Sequence, residues 1–270
     1  MHVRIAAPAK SAKPALVCFH MSPMSGRIYE RFIDVIGGAR TATAIDTPGF
    51  GMSDPPPAPP SIADYSRAMA AAIAALDLNE PVDLMGYHTG SMIAADLAAA
   101  RPELVRRLVL VSAPIFTEAE RAEMRSLYRP VAPALDGSHL LQRWTGFVHH
   151  NLRGALTLED VADMFPDGLL GRNRAWWGHN AAFGFAADMR LPEVPHPVLL
   201  LNPDDDLATY TRRAPALMRN GRLVEAPQWG HGFLDASTEA AVRLVESFLD
   251  APDPNPFAAL TMPDGDVTQS

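Results

Sequence analysis

The stretch from Val82 to Ala100 limits the folds open to this chain more than any other. An apolar run, Val82 to Met85, leads into Gly86-Tyr87-His88-Thr89-Gly90, and an Ala-rich helical run, Ile93 to Ala100, follows. A buried strand that passes through a sharp turn into a helix is one βα unit of a parallel sheet. The two glycines allow the turn to be tight. Such a turn lifts its central side chain, here His88, above the sheet edge, and the free N–H groups of the following helix aim at the same point.

The rest of the chain repeats that alternation. Residues 1 to 14 read as a short edge strand and a polar connection, and Leu16 to Phe19 as a buried strand. Ile28, Phe32, Val35 and Ile36 recur at helical spacing, and Gly37-Gly38 closes that helix. Thr41 to Ile45 is the next strand. A Gly/Pro loop from Asp46 to Pro60 then leads to Ser61-x-x-Asp64, a capping-box pattern, and to a helix whose apolar face carries Tyr65, Met69, Ile73 and Leu76. Further strands are expected at Arg107 to Ser112, Pro197 to Leu201 and Arg222 to Ala226, with a closing helix through Val242, Val245 and Leu249. Between about 113 and 194 the strand pattern stops and short helical clusters carry Trp144, Trp176 and Trp177. The predicted architecture is α/β, a mostly parallel doubly wound sheet formed by residues 1–112 and 195–250. Residues 113–194 form a helical lid inserted into it, and 251–270, rich in Pro and Asp, a loose tail. In such sheets ligands bind beyond the carboxyl ends of the strands. The loops carrying His20, His88, Asp206 and His231 all follow strands, so they should converge on one edge.

Five motifs in order resemble the α/β-hydrolase superfamily. They are His20-Met21-Ser22-Pro23, Asp46-x-Pro48-Gly49-x-Gly51-x-Ser53, Gly86-x-His88-x-Gly90, Asp206 after a late strand, and Gly230-His231. The order nucleophile, acid, histidine is also the family's. The resemblance spans residues 16 to about 250, with the lid unmatched. It implies an oxyanion hole made by the backbone N–H groups of Ser22 and Thr89, and a structural, hydrogen-bonding role for His20. Two positions depart from the family. Met21 stands where the family has glycine, and His88 stands where it has the nucleophilic serine.

The residues themselves suggest what such a site does. A carboxylate accepting from one imidazole nitrogen fixes the tautomer and leaves the other as a base, so His231 with Asp206 is the candidate general-base pair. Asp206 is preferred by its spacing from the strand, with Asp205 the runner-up and Asp204 a solvated turn residue. His88, at a helix N-terminus and near His231, is expected to be a neutral imidazole near pH 7. It acts as a nucleophile, positions a water, or plugs a site that has lost its nucleophile. Its ring nitrogens lie farther from the backbone than a serine oxygen would, so it does not replace serine atom for atom. Of the nearby hydroxyls, Ser91 is expected to pack or cap and Ser25 to start the first helix, which leaves Ser22 as the one to test.

Composition narrows the alternatives. A net charge of -8 over 270 residues argues against nucleic acid or an anionic membrane as partner. The single cysteine, Cys18, lies in an apolar run and excludes an internal disulfide. No signal-like or membrane-spanning run is evident, which points to a cytoplasmic protein acting on a small molecule and leaves room for a homodimer. Adjacent His149 and His150 do not share a helix face, and no metal-ligand spacing or dinucleotide fingerprint is present, so neither metal nor cofactor is expected. The leading expectation is a cofactor-independent hydrolase of a small ester, amide or related carbonyl compound. A lyase or proton-transfer enzyme on the same fold and a non-catalytic binding protein are the alternatives.

Overall fold

A computed structural model describes residues 1–78, 81–152, 156–258 and 260. Seven strands lie in the order β1-β3-β2-β4-β5-β6-β7. They are β1 (Val3–Ala6), β2 (Leu16–Phe19), β3 (Ala42–Ile45), β4 (Val82–Tyr87), β5 (Val105–Val111), β6 (Val198–Pro203) and β7 (Gly221–Ala226). β1 runs antiparallel to β3 at one edge, and every other pairing is parallel. β2, β3, β4 and β6 are buried along their whole length, as strands covered on both faces must be.

Alternate residues of each strand feed two cores. Val17, Leu84, Leu108 and Leu200 pack on one side with α2 (Ile62–Ala75) and α3 (Thr89–Ala100). Cys18, Met85, Val109 and Leu199 pack on the other with α1 (Glu30–Ile36) and the closing helix Thr238–Leu249. Cys18 is fully buried, and burial drives its thiol pKa strongly upward. The Ser61/Asp64 capping box forms as its spacing predicts, with the Asp64 amide donating to Ser61 Oγ at 3.2 Å.

Residues 113 to 194 hold no strand among those described. They form α4 (Glu118–Leu127), α5 (Ser138–Asn151), α6 (Leu158–Met164), α7 (Trp176–Phe183) and short helical turns. None of the described helices is long and apolar enough to cross a membrane. The described start of the expected tail is not loose: Ala251 is buried, its carbonyl accepts from Arg107 at 2.7 Å, and Phe257 stacks on Phe248. The fully buried Arg107 guanidinium needs acceptors, and this segment supplies them. Residues 259 and 261–270 lie outside the described part.

Candidate active site

The turn after β4 has the geometry its sequence suggests, with the strain in a different place. The positive φ falls on His88 itself (φ 50°, ψ -110°), not on the flanking glycines. These are glycine because of close approach. A Cβ on Gly86 would lie 2.3 Å from the Gly90 carbonyl oxygen, and one on Gly90 would lie 2.0 Å from that of Phe19. The elbow is thus pressed against the end of β2, and a non-glycine residue is held in a costly conformation at its tip. Ser91 braces the turn from within, donating to Gly86 O at 2.7 Å and lying 2.8 Å from Val111 O. Its hydroxyl is buried and structural, as expected.

The acid loop after β6 delivers two carboxylates to two different histidines. His88 Nε2 lies 2.9 Å from Asp205 Oδ2, and His231 Nε2 lies 3.2 Å from Asp206 Oδ1. The Asp206–His231 pair is the one the spacing suggested. Asp205, the runner-up, belongs instead to the elbow. It is buried and heavily committed, with Ser112 Oγ donating to Oδ2 and the Leu207 amide to Oδ1 at 2.9 Å. The two imidazoles stand edge to face, ring centroids 5.1 Å apart. With Asp205 engaged by His88, the Nδ1 of His231 is buried without a partner among the described residues. His88 Nδ1 likewise makes no hydrogen bond there.

The pairings set the direction of each pKa shift, and at His88 it runs upward, against the pull of the helix N-terminus. Burial disfavours the cation, but the Asp205 carboxylate outweighs it and raises the His88 pKa above the ordinary histidine value. A helix N-terminus is a half-charge spread over several N–H groups, whereas Asp205 is a full charge in hydrogen-bond contact. Both carboxylates are held below their usual range: burial would raise them, but His88 for Asp205 and His231 for Asp206 reverse the shift. His179 is pushed down to about 4 by burial, with the His88 charge adding to it.

The remaining predicted residues frame the same corner. His20 is buried. Its Nε2 accepts from the Thr47 amide at 2.9 Å and its Nδ1 lies 2.9 Å from Met21 O, so it ties two loops together, as the family resemblance implied. Ser22 lines a cavity of about 810 Å³ with Met21, His88, Asp206 and His231. The Ser22 side chain sits against α7 at Gly178, where a Cβ would come within 1.8 Å of Ser22 Oγ. Thr89 is buried as the first residue of α3. Ser25 caps the helical turn after the loop, accepting from the Arg27 amide, and is itself held by the buried Asp167 through Oγ at 2.6 Å.

Several contributors gave little sequence signal. Ser112 takes a positive φ (51°) at the end of β5, and only its place directly after a buried strand hints at its contact with Asp205. The Tyr87 hydroxyl donates to the His231 carbonyl at 3.0 Å and fixes the loop that carries that histidine. His150, on α5, turns its ring toward His231, with centroids 6.4 Å apart. One donor from each of His88, Asp205 and His231 falls within 4.8 Å of the others, a two-histidine, one-carboxylate set that suits a divalent cation in kind. Ligands around one zinc ion would have to close to roughly 3–3.5 Å from each other. The set as it stands is too open for one ion and would close only if the His231 ring moved inward.

A family model described as the alpha/beta hydrolase fold matches residues 14–235. The chain belongs to the α/β-hydrolase fold family. It is 28% identical over 236 residues to the pimeloyl-[acyl-carrier protein] methyl ester esterase of Neisseria meningitidis, covering 81% of this chain and 72% of that one. An α/β-hydrolase domain-containing protein of Arabidopsis thaliana is 25% identical over 250 residues, covering 88% and 74%. Among solved structures, MenH from S. aureus superposes with a TM-score of 0.79 at 18% identity, covering 92% of this chain and 98% of that one. The enol-lactonase from Burkholderia xenovorans gives 0.76 at 17% identity, covering 93% and 96%. At these identities the two structures establish the fold alone. The elbow of this α/β-hydrolase presents an imidazole.

Proposed function

We propose that this α/β-hydrolase cleaves a small ester or related carbonyl compound by direct attack of water, with His88 as the general base and no covalent acyl-enzyme. The observation that carries this reading is the 2.9 Å contact between His88 Nε2 and Asp205 Oδ2. An ionised carboxylate accepts, so Nε2 carries the proton and the lone pair resides on Nδ1. Of the two ring nitrogens Nδ1 lies nearer the backbone, and so nearer the place a serine oxygen would occupy. Water attacks the carbonyl carbon and passes its proton to Nδ1. The amides of Ser22 and Thr89 receive the oxyanion. As the tetrahedral intermediate collapses, Nδ1 returns the proton to the leaving oxygen, and acid and alcohol result.

His231, held by Asp206 and by the Tyr87 contact to its carbonyl, flanks the attacking water. It is the alternative base, since its Nδ1 also lacks a partner among the described residues. The name of the Neisseria relative, a methyl ester esterase, supports an ester as the substrate class. Short acyl and methyl esters, assayed with His88→Ala, Asp205→Asn and His231→Ala, test the reading. We expect His88→Ala to cost roughly 10²–10⁴-fold in kcat, the range of general base catalysis. Full activity in His88→Ala with loss in His231→Ala would transfer the base role to His231.

A further inference from the structure

The loop that offers the Ser22 amide is held from outside the core. Its first residue, His20, is anchored by Thr47, and Ser22 and Pro23 make a turn in which the Ser22 N–H forms no hydrogen bond among the described residues. That leaves the donor available to an oxyanion, and leaves its position to whatever packs behind the loop. The inserted helical segment supplies that packing at successive points. Gly178 of α7 sits against Ser22, where an added Cβ would come within 1.8 Å of Oγ. Gly168 lies against the next two residues, its added Cβ 3.6 Å from Pro23 Cγ and 3.5 Å from Met24 Sδ. Asp167 then takes Ser25 with both carboxylate oxygens: the Ser25 amide donates to Oδ2 at 2.8 Å and the Ser25 hydroxyl to Oδ1 at 2.6 Å.

Both Asp167 and Ser25 are buried, and among the described residues Asp167 forms no ion pair. A buried carboxylate without a cation is a costly way to fasten two parts of a chain, and an apolar pair of the same shape would hold them at least as firmly. What the carboxylate adds is direction, because hydrogen bonds fix position over tenths of an ångström where apolar contacts slide. The turn that carries it is itself held: Arg143 of α5 donates to the Gly168 carbonyl at 2.8 Å. Asp167 lies behind the loop and does not line the cavity, whereas Ser22, Pro23 and Met24 do. It is therefore placed to act on the loop and not on a substrate.

We propose that Asp167 is a positioning residue for the oxyanion donor. Bound by Asp167, Ser25 fixes the end of the loop, and the Ser22 N–H is kept at the depth a developing oxyanion requires. The inserted segment thereby contributes to the reaction without touching the reacting atoms. The assignment rests on the hydrolytic reading for the use made of the Ser22 amide. It predicts an effect on the transition state in preference to the ground state, because a donor aimed at the oxyanion is fully engaged only as charge develops.

The test compares the natural protein with Asp167→Ala, which removes both hydrogen bonds, and Asp167→Asn, which keeps an oxygen for the Ser25 amide. The ligands are a short-chain methyl ester and the matching monomethyl alkylphosphonate, whose tetrahedral anionic centre imitates the intermediate. In Asp167→Ala we expect kcat to fall by roughly 10- to 100-fold with KM held within about threefold, the effect of a donor displaced by about 1 Å. Phosphonate affinity should fall by the same factor as kcat/KM, and Asp167→Asn should recover part of both. A lowered Tm with kcat and phosphonate affinity unchanged, or a loss carried by KM alone, overturns the assignment. Should Asp167→Ala not fold, Ser25→Ala, which deletes the hydroxyl bond alone, is expected to show the same pattern at smaller amplitude, and unchanged kinetics there overturn it. If the natural protein turns over no ester, the hydrolytic reading fails and the ester serves as the ground-state ligand. Calorimetric binding of the phosphonate that weakens by about tenfold or more in Asp167→Ala while ester binding holds then supports the positioning role, and any other result overturns it.

Discussion

His88 and Asp205 are 117 residues apart in sequence and 2.9 Å apart in space, and that contact gives the elbow imidazole a carboxylate of its own. Asp205 is fixed independently by Ser112 and the Leu207 amide, so the pair is prepared before any substrate arrives. A second pair, His231 with Asp206, stands beside it. The acid loop therefore serves two histidines where a serine at the elbow would have required it to serve one.

The first consequence is a pH profile. A base must be neutral to accept a proton, and Asp205 raises the pKa of His88. Activity should rise with pH through a pKa above the ordinary histidine value of about 6.5. Asp205→Asn removes the charge that raises it, so the acid limb of kcat/KM should move to lower pH while the plateau falls, by about 10²-fold or more. An unmoved limb would mean that His88 is not the titrating base.

Stability should follow the opposite trend at high pH. The folded pKa of His88 is raised, so its contribution is full below the unfolded value and is lost as pH climbs through the folded one. The Asp205 pKa is lowered, so its contribution is present above the unfolded carboxylate value and is lost as pH falls through the folded one. Urea unfolding of the natural protein and of His88→Gln should therefore differ most at roughly pH 4 to 6.5, and the gap should narrow on both sides. A gap that widens toward pH 9 contradicts the pairing.

Gly178 should be a functional position although it bears no side chain. A Cβ there would lie 1.8 Å from Ser22 Oγ and 2.5 Å from Ser22 Cβ. Gly178→Ala should displace the loop that offers the Ser22 amide and lower kcat, by about 10-fold or more if that amide holds the oxyanion. Both clashing atoms belong to the Ser22 side chain, so Ser22→Gly in the same molecule should recover much of the loss. Kinetics of the two single variants and the double variant measure the coupling. Additive losses would remove the link between Gly178 and the oxyanion loop.

Soft divalent cations should inhibit. His88, Asp205 and His231 offer three ligands within 4.8 Å. A zinc ion drawing the two imidazoles and Asp205 together would fix both rings and break the His88–Asp205 pairing on which the proton transfer depends. Micromolar zinc should abolish turnover and a chelator should restore it, with inhibition weaker at low pH because protons compete for the same nitrogens. Magnesium, which prefers oxygen ligands, should have no comparable effect.

The secondary structure and its order were legible from the chain alone, because burial on both faces imposes continuous apolar strands and the helices between them repeat at 3.6 residues. The run Leu-Val-Leu-Val ending at Val111 and the capped helix from Ile62 are cases in point. So was the convergence of His88, the acid loop and His231, since a parallel sheet sends every strand's following loop to one edge. What only the tertiary structure decided is how adjacent side chains there pair. Asp205 and Asp206 are neighbours in sequence and both acidic, so periodicity does not separate them; the turn after β6 does, by sending one carboxylate to each histidine. The direction of the His88 pKa shift followed the same logic, because a helix terminus is visible in sequence and a carboxylate 117 residues away is not. The sequence therefore determined which residues would meet, and the packed structure determined the proton and partner each would hold, since hydrogen bonds are settled over tenths of an ångström.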